Sequence, residues 1–188
     1  MTRNNLILNT DSYKMSMHCQ YPPGTETVYS YIESRGGIYD RTIFFGLQGF
    51  IRESLLTPIT RADVDEAEEI IKAHGEPFYR EGWEYILKAH KGFLPLCISS
   101  VDEGTLVPAK NVLATVVNTD PNCYWLTTYL ETALLRAVWY PTTVATNSWT
   151  SKQIIRHYLE KNGDPAGINF KLHDFGARGV SSMAGRSA

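Results

Sequence analysis

The sequence predicts a globular fold of mixed α and β structure, and three observations carry this prediction. The 188 residues are 43% hydrophobic and 20% charged, a composition typical of ordinary globular proteins. Segments with apolar residues at every third or fourth position alternate with short segments of period two, which indicates helices and strands in alternation. A chain of this length buries roughly 70% of its unfolded surface. We therefore expect it to fold without help from disulfides or a structural metal.

Charge and cysteine content exclude several classes of protein. Lysine and arginine total 18 and aspartate and glutamate total 20, so the net charge of -2 provides no general attraction to nucleic acid or to anionic membranes. Cys19, Cys97 and Cys123 are widely spaced and form no CxxC pair, which favours neither a disulfide framework nor a zinc site. No run of 18 apolar residues and no signal-peptide core occurs. We expect a cytoplasmic protein without a membrane segment.

The first hundred residues predict a short helix, a strand and then three further helices before more strands begin. Thr10 or Asp11 can cap a short helix that runs toward His18, and residues 27–33 alternate as a strand up to the Gly36-Gly37 turn. The apolar spacing of residues 47–55 predicts a helical face. Thr60 and Asp63 form a capping-box pattern that starts another helix near Arg61, and a third covers the region around residues 83–92.

The second half predicts strands followed by long helices. Strands are expected at 94–100, 105–107 and 111–118. Residues 124–138 are apolar on most sides, so this helix should be largely buried, and Pro141 is expected to end it. Another helix should span about 144–160. Ile168–Leu172 is predicted as a strand, and a further helix should begin within residues 181–188.

Phe175 and Arg178, which follow the predicted strand Ile168–Leu172, are candidates for ligand binding. Phe175 can stack on a flat ring, and Arg178 can donate paired hydrogen bonds to a carbonyl or phosphate. The alternative is that Phe175 fills the core and Arg178 forms a surface ion pair. The triplet Asp174-Phe175-Gly176 also occurs in protein kinases, but the glycine-rich loop, strand lysine and H-R-D motif of kinases are missing.

Three further candidates lie near the start of the chain. Asp11 and Tyr13 occupy a helix start, where the alternative interpretation is an N-cap with an aromatic residue packed in the first turn. Arg35 follows a strand and precedes two glycines, so its guanidinium can reach a phosphate, although a solvated loop arginine fits the same pattern. The local spacing of Asp11, Tyr13 and Arg35 does not decide between ligand binding and these purely structural roles.

Taken in order, nine short blocks of the sequence resemble the nicotinamide phosphoribosyltransferase family of type II phosphoribosyltransferases. These blocks are Thr10 to Lys14, Gln20 to Pro23, Val28 to Arg35, Phe45 to Gln48, Asn118 to Pro121, Tyr124 to Thr127, Trp139 to Pro141, Val144 to Ser148 and Lys171 to Gly176. The resemblance runs from about Asn5 to Met183, and Met183 to Arg186 departs from the expected pattern. It implies an N-terminal α+β mixed-sheet domain at 1–165 and, at 166–188, the start of an incomplete α/β barrel whose first strand is about Ile168 to Leu172.

The resemblance also implies a reaction and a set of contacts. Members of this family transfer phosphoribosyl from phosphoribosyl pyrophosphate, accompanied by Mg²⁺, to nicotinamide, giving nicotinamide mononucleotide and pyrophosphate on the salvage route to NAD. By resemblance, Phe175 and the partner subunit's Tyr13 sandwich the nicotinamide ring. Arg178 binds the carboxamide oxygen and Asp11 lines the same pocket. The partner subunit's Arg35 contacts phosphate or pyrophosphate, and no catalytic residue or magnesium ligand falls within this chain.

Several functional alternatives stay open from the sequence. The resemblance implies a homodimer or a complementary barrel chain, and the 188 residues alone are expected to be inactive because later barrel strands are missing. One alternative is a non-catalytic dimerisation or regulatory domain, and another is half of a split enzyme. The related nicotinate-using enzyme matches the quoted blocks less well.

Overall fold

The structure is a computed structural model that describes residues 5–180. The helices are α1 Ser12–Met15, α2 Leu47–Phe50, α3 Arg61–Ala73, α4 Arg80–Ala89, α5 Leu126–Tyr129 and α6 Glu131–Asn162. The strands are β1 Tyr29–Glu33, β2 Arg41–Ile43, β3 Leu96–Ser100, β4 Leu106–Pro108 and β5 Val112–Asn118. A π-helical turn at Ile51–Leu55 continues α2, and short 3₁₀ helices occur at Leu6–Leu8, Met17–Gln20, Pro121–Cys123, Pro165–Phe170 and Gly176–Arg178. This mixed architecture confirms the predicted combination of helices and sheet.

The described residues form two compact units, each assembled from three segments of the chain. The first unit contains residues 5–32, Phe50–Ser100 and Ala114–Arg136. The second contains Glu33–Gly49, Val101–Leu113 and residues 137–180. The family resemblance implies a different boundary, between an N-terminal domain that ends at residue 165 and a barrel that begins at residue 166. That boundary stays a prediction.

The sheet of the first unit has three strands in the order β1, β5, β3. Strands β3 and β5 are antiparallel, with Leu96 opposite Asn118 and Ser100 opposite Ala114. The buried Asn118 side chain connects the entry to β1 with the end of β5. Its Nδ2 donates to the Glu26 carbonyl at 2.8 Å, and its Oδ1 accepts from the Val28 N–H at 2.8 Å. These long-range hydrogen bonds position β1 at the edge of the sheet.

The core of the first unit is built around three aromatic rings. Trp83 on α4 is 1% exposed and packs edge-to-face against Trp125 and Tyr129, at ring-centre distances of 4.7 and 5.1 Å. Helix α3 adds its apolar face, which comprises Val64, Ala67 and Ile71. The predicted capping box is confirmed, because the Thr60 side chain accepts from the Asp63 N–H and the Asp63 side chain accepts from the Thr60 N–H.

The second unit contains a two-stranded antiparallel sheet, β2 with β4, in which Thr42 lies opposite Val107. Hydroxyl groups of α6 bind the backbone at the end of β2. The Thr146 Oγ1 accepts from the Ile43 N–H at 2.9 Å, and the Thr142 Oγ1 accepts from the Phe45 N–H at 3.1 Å. The chain after β2 is therefore held directly against the helix.

The prediction that Pro141 ends a helix is wrong, because α6 continues through Pro141 to Asn162. Proline removes one N–H and so frees the carbonyl four residues earlier, that of Ala137. Gly46 lies against this carbonyl so closely that a Cβ atom there would be 2.2 Å from the oxygen. The hydroxyl groups of Thr142 and Thr146 supply further backbone contacts next to the proline. Tertiary contacts thus stabilise a helix that local propensity would interrupt.

The predicted strand at Ile168–Leu172 is also wrong. Residues Pro165–Phe170 form a 3₁₀ helix, in which Asp164 Oδ1 accepts from the Ala166 N–H at 2.9 Å and Pro165 occupies the first turn. A strand needs a neighbouring ladder, and among residues 5–180 no strand pairs with this segment. The helix expected within residues 181–188 lies outside the described part.

No helix in residues 5–180 combines the length and apolar character needed to cross a membrane.

Candidate functional site

Asp11 and Tyr13 lie at the start of α1, in the first unit. Asp11 holds the N-cap position, but its carboxylate does not cap the helix. Its Oδ2 instead accepts from the Thr132 hydroxyl at 2.6 Å, and its N–H donates to the same hydroxyl oxygen at 3.3 Å. The Thr10 hydroxyl donates to the Tyr129 carbonyl at 2.8 Å. The start of α1 is therefore fixed by contacts with residues more than 100 positions later.

Lys14 anchors the same helix and was given no role by sequence reasoning. It is 4% exposed and forms an ion pair with Glu131. Burial lowers the pKa of the Lys14 ammonium, but the hydrogen bond and negative charge of Glu131 outweigh burial and raise its pKa above 10.5. The Lys14 Nζ also lies 5.0 Å from the centre of the Tyr13 ring. The Tyr13 side chain itself is 56% exposed and so remains open to a ligand.

Phe175 and Arg178 lie together in one short turn of the second unit. Arg178 ends the 3₁₀ helix Gly176–Arg178, and Phe175 holds its N-cap position. Asp174 Oδ1 shapes the turn by accepting from the Gly176 N–H at 2.6 Å. Phe175 is 73% exposed, so the alternative that it fills the core is wrong for the described chain. No ion pair joins the exposed Arg178 to another residue within 5–180.

Arg35 belongs to the second unit and lies just beyond β1. The backbone around it is held by the Ser34 carbonyl, which accepts from the Lys110 N–H at 2.8 Å, and by the Ser34 hydroxyl, which accepts from the Gly36 N–H at 3.2 Å. The Arg35 side chain is exposed. Neither an ion pair nor a hydrogen bond between described residues links its guanidinium to Phe175 or Arg178.

The structure therefore groups the five predicted residues only in part. Asp11 and Tyr13 lie together at the start of α1, and Phe175 shares a turn with Arg178, but the two pairs belong to different units. Their joint role in one binding site stays a prediction. Sequence reasoning missed Glu131 and Thr132, which hold the first pair in place, because nothing local in the sequence connects them to residues 11–14.

Two surface hollows lie in the first unit, and none of the five predicted residues lines either. The larger has a volume of about 870 Å³ and includes Arg61, Arg80 and Glu84 in its wall. Arg80 already pairs with Asp65 at 2.8 Å and with Glu84 at 3.0 Å, so its charge is largely neutralised. The smaller hollow, about 380 Å³, is lined by residues that include Tyr79, Tyr85 and Asn122.

His90, Asp120 and Cys123 form a cluster that the sequence analysis did not detect. One potential ligand atom from each lies within 4.8 Å of the others. The Asp120 Oδ2 is 2.7 Å from His90 Nε2 and accepts from the Tyr85 hydroxyl at 2.9 Å. Residues 90 and 120 are far apart in the chain, so spacing gave no signal of this contact.

Hydrogen bonding rather than metal binding accounts for this cluster. Two ligands of one tetrahedral zinc, each about 2 Å from the ion, lie roughly 3.3 Å apart, whereas the His90–Asp120 distance of 2.7 Å is that of a hydrogen bond. Burial, together with the negative charge of Asp120, raises the pKa of the Cys123 thiol to about 12. Cys123 is therefore a protonated core residue, and Asp120 is the centre of a hydrogen-bond network.

Asp120 makes stability depend on acid pH. Burial opposes its ionisation, but hydrogen bonds from the Asn122 N–H, His90 and Tyr85 outweigh burial and lower the pKa of Asp120 from 3.8 to about 2. Its stabilising contribution is thus present above pH 4 and is lost as the pH falls through 2. We expect Asp120→Asn to lower the free energy of unfolding by about 1 to 2 kcal/mol at pH 7, with the deficit shrinking between pH 4 and 2.

Urea unfolding at a series of pH values measures this deficit. Asp40→Asn is the matched control, because the Asp40 side chain is 92% exposed and its ion pair with Arg41 is long, at 3.9 Å. A deficit for Asp120→Asn that stayed constant from pH 7 to pH 2 would contradict the proposed ionic contribution.

A family model described as "Nicotinamide phosphoribosyltransferase, N-terminal domain" matches residues 5–98, which are 94 of the 188 residues. The chain belongs to this family. The nicotinamide phosphoribosyltransferase resemblance inferred from the nine sequence blocks is thereby confirmed.

Bacterial relatives named nicotinamide phosphoribosyltransferase match nearly the whole chain. The relative from Xanthomonas campestris pv. campestris is 55% identical over 182 residues, covering 96% of this chain and 39% of the relative. The one from Acinetobacter baylyi is 32% identical over 198 residues, with the same coverages of 96% and 39%. A Mycoplasma genitalium relative is 28% identical and covers 94% of this chain and 44% of its own length. The chain thus spans about two fifths of the length of these curated nicotinamide phosphoribosyltransferases.

A solved structure supports the fold. The crystal structure of human nicotinic acid phosphoribosyltransferase superposes with a TM-score of 0.53 at 22% sequence identity, covering 74% of this chain and 27% of that chain. At this identity the similarity shows only that the chain shares its fold with the matched part of that protein.

Proposed function

We propose that the protein to which this chain belongs transfers a phosphoribosyl group to nicotinamide. The observation that carries the proposal is the 55% identity, over 96% of the chain, to a relative named nicotinamide phosphoribosyltransferase. In this reaction the bond from the ribose carbon to pyrophosphate breaks, and a bond from that carbon to the ring nitrogen forms. The products are nicotinamide mononucleotide, which feeds NAD salvage, and pyrophosphate.

Phe175 and Tyr13 are proposed to hold the nicotinamide ring between them. Their side chains are 73% and 56% exposed, which leaves both rings available for stacking. An aromatic contact of this kind contributes about 0.5 to 1.5 kcal/mol beyond the burial of its area. Holding the ring in line with the ribose carbon also lowers the entropic cost of bringing two substrates together.

Polar contacts are proposed for the other three residues. Arg178 donates to the carboxamide oxygen of nicotinamide, and its freedom from ion pairs within the described chain supports this role. Asp11 lines the same pocket, with its carboxylate oriented by the Thr132 hydroxyl. Arg35 contacts phosphate or pyrophosphate, and stabilising this departing anion is the principal electrostatic task of the reaction.

The proposed site needs more than this chain provides. Tyr13 and Arg35 are proposed to act on the site of a partner subunit in a homodimer. The acidic residues and phosphate-binding loops of a barrel domain are proposed to complete that site. We therefore expect the 188 residues by themselves to produce no nicotinamide mononucleotide, and robust turnover by them would contradict the requirement for the barrel.

Magnesium is proposed to enter with the diphosphate of phosphoribosyl pyrophosphate. The one close group of three metal-binding side chains among residues 5–180 contains a buried thiol and an imidazole. Magnesium prefers oxygen ligands and keeps several waters, so this group does not fit it. We assign no magnesium ligand to this chain.

The ring contact can be tested with two phenylalanine variants of the complete protein. Phe175→Ala is expected to raise the KM for nicotinamide about tenfold or more, because it removes stacking and apolar contact on the ring. The KM for phosphoribosyl pyrophosphate should change less than about twofold. Phe170→Ala is the matched control, since Phe170 is 80% exposed in the same unit and has no proposed contact.

Steady-state assays with each substrate varied in turn distinguish the outcomes. Equal increases in both KM values would argue that Phe175 is not the ring contact while leaving the reaction in place. If the unmodified complete protein formed no nicotinamide mononucleotide, or used nicotinate in preference to nicotinamide, the proposed function itself would be wrong.

A further inference from the structure

His18 and Cys19 are neighbours in the 3₁₀ helix Met17–Gln20, and their side chains are in hydrogen-bond contact. The Cys19 Sγ lies 3.2 Å from His18 Nε2, and Cys19 is exposed to solvent. Both residues belong to the first unit. The contact pairs a nucleophilic thiol with a potential base at the protein surface.

The second ring nitrogen of His18 determines where the proton lies. His18 Nδ1 is 3.0 Å from the Met15 carbonyl oxygen, which can only accept a hydrogen bond. Nδ1 must therefore carry the hydrogen, and in the neutral ring Nε2 presents its lone pair to the thiol. Burial lowers the pKa of His18 below 6.5 despite the opposing effect of the Met15 hydrogen bond, so the ring is neutral at physiological pH.

The imidazole is also held in a fixed orientation. It stacks face-to-face on the Tyr79 ring, with centres 4.5 Å apart and planes inclined by 7°. The Met15 carbonyl fixes its remaining rotation through the bond to Nδ1. A nucleophile, a base within hydrogen-bond reach and a group that orients the base are the three parts of an activated thiol.

We propose that Cys19 is a modification site at which its thiol exchanges with low-molecular-weight disulfides, with His18 as the base. His18 Nε2 accepts the thiol proton while Sγ attacks one sulfur of the disulfide. The new bond joins Cys19 Sγ to that sulfur, and the original sulfur–sulfur bond breaks. The departing thiolate then takes the proton, so Cys19 is oxidised to a mixed disulfide and one equivalent of free thiol is released.

The other two cysteines provide internal comparisons. Cys97 is also exposed, but no side chain among residues 5–180 is hydrogen-bonded to its thiol. Cys123 is 0% exposed, and its thiol is held protonated by burial. A thiol becomes a strong nucleophile only as its proton is removed, so a base in hydrogen-bond contact is expected to make Cys19 react faster than Cys97.

The experiment measures exchange with glutathione disulfide at pH 7 in the folded chain. Acid quenching followed by peptide mass spectrometry gives separate rates for the three cysteines. We expect Cys19 to react about tenfold faster than Cys97. His18→Gln, which keeps a polar side chain of similar size but removes the base, should slow Cys19 about tenfold and leave Cys97 unchanged.

Two results would overturn the proposal: equal rates for Cys19 and Cys97 in the unmodified chain, or a Cys19 rate that His18→Gln changes by less than about twofold. Reaction at Cys123 reports unfolding of any variant, because that thiol is buried in the native core. If His18→Gln unfolded, the comparison of Cys19 with Cys97 in the unmodified chain would still decide the matter. None of these measurements depends on phosphoribosyl transfer.

Discussion

Replacing Gly46 by alanine is expected to destabilise the chain by about 3 to 4 kcal/mol. Gly46 has a φ of +108°, a backbone region that alanine adopts only with strain. A Cβ atom at this position would also lie 2.2 Å from the Ala137 carbonyl oxygen and 2.9 Å from Pro141. Both contacts are with a helix backbone or a rigid ring, so neither can be relieved by rotating a side chain.

Gly104→Ala separates the cost of a positive φ from the cost of the close contact with α6, which are combined in Gly46→Ala. Gly104 lies in the same unit and has a φ of +87°, but a Cβ atom there would meet nothing within 4 Å. We expect Gly104→Ala to lower the free energy of unfolding by only about 1 kcal/mol, which is the cost of the positive φ alone. Urea unfolding followed by circular dichroism at 222 nm measures both variants. Similar losses for the two would mean that the close approach to α6 is not part of the native packing.

Trp83→Ala is expected to destabilise the chain by about 4 to 5 kcal/mol. Trp83 is 1% exposed, so its removal leaves a large cavity between α4 and the rings of Trp125 and Tyr129. Two edge-to-face aromatic contacts are lost together with the buried area. If the alanine variant does not fold, Trp83→Phe can be measured instead. It should retain part of the buried area and of the aromatic contacts, and so lower the free energy of unfolding by a smaller amount.

Trp139→Ala is the matched control for Trp83→Ala. Trp139 is 68% exposed, and substitutions at such surface positions usually change stability by less than about 0.5 kcal/mol. Thermal unfolding of the two variants under identical conditions makes the comparison. Comparable losses at positions 83 and 139 would contradict the assignment of Trp83 to the core.

Local chemistry explains why several elements could be predicted from the sequence. The Thr60 and Asp63 pair satisfies free backbone groups within four residues of itself, so its pattern is complete in the sequence. Strand β5 likewise combines β-branched residues with a bounding turn. Other predicted helices and strands agree with the structure to within a few residues at their ends, where frayed turns make boundaries inexact.

The two incorrect predictions both depend on distant residues. Pro141 interrupts a helix by local rules, but α6 continues through it, and the freed Ala137 carbonyl lies close against Gly46, about 90 positions earlier. Residues Ile168–Leu172 have the apolar character of a strand, yet a strand exists only where another strand can pair with it. Neither condition is visible in a window of ten or fifteen residues.

The candidate site shows the same division between local and distant information. Motifs identified Asp11, Tyr13, Phe175 and Arg178, and the structure leaves Tyr13, Phe175 and Arg178 open to solvent. The residues that hold the first pair, Glu131 and Thr132, come from α6 and could not be connected to it by spacing. The His18–Cys19 contact was also missed, although the two are adjacent, because only the ring orientation set by Met15 and Tyr79 makes it meaningful.

The interleaving of three chain segments in each unit affects synthesis of the protein on the ribosome. The first unit takes its last segment from Ala114–Arg136, so its aromatic core lacks Trp125 and Tyr129 until that segment has emerged. Until then, the apolar surface that helices α3 and α4 present to Trp125 and Tyr129 stays uncovered. Contacts between residues so far apart in sequence slow folding and prolong exposure of apolar surface.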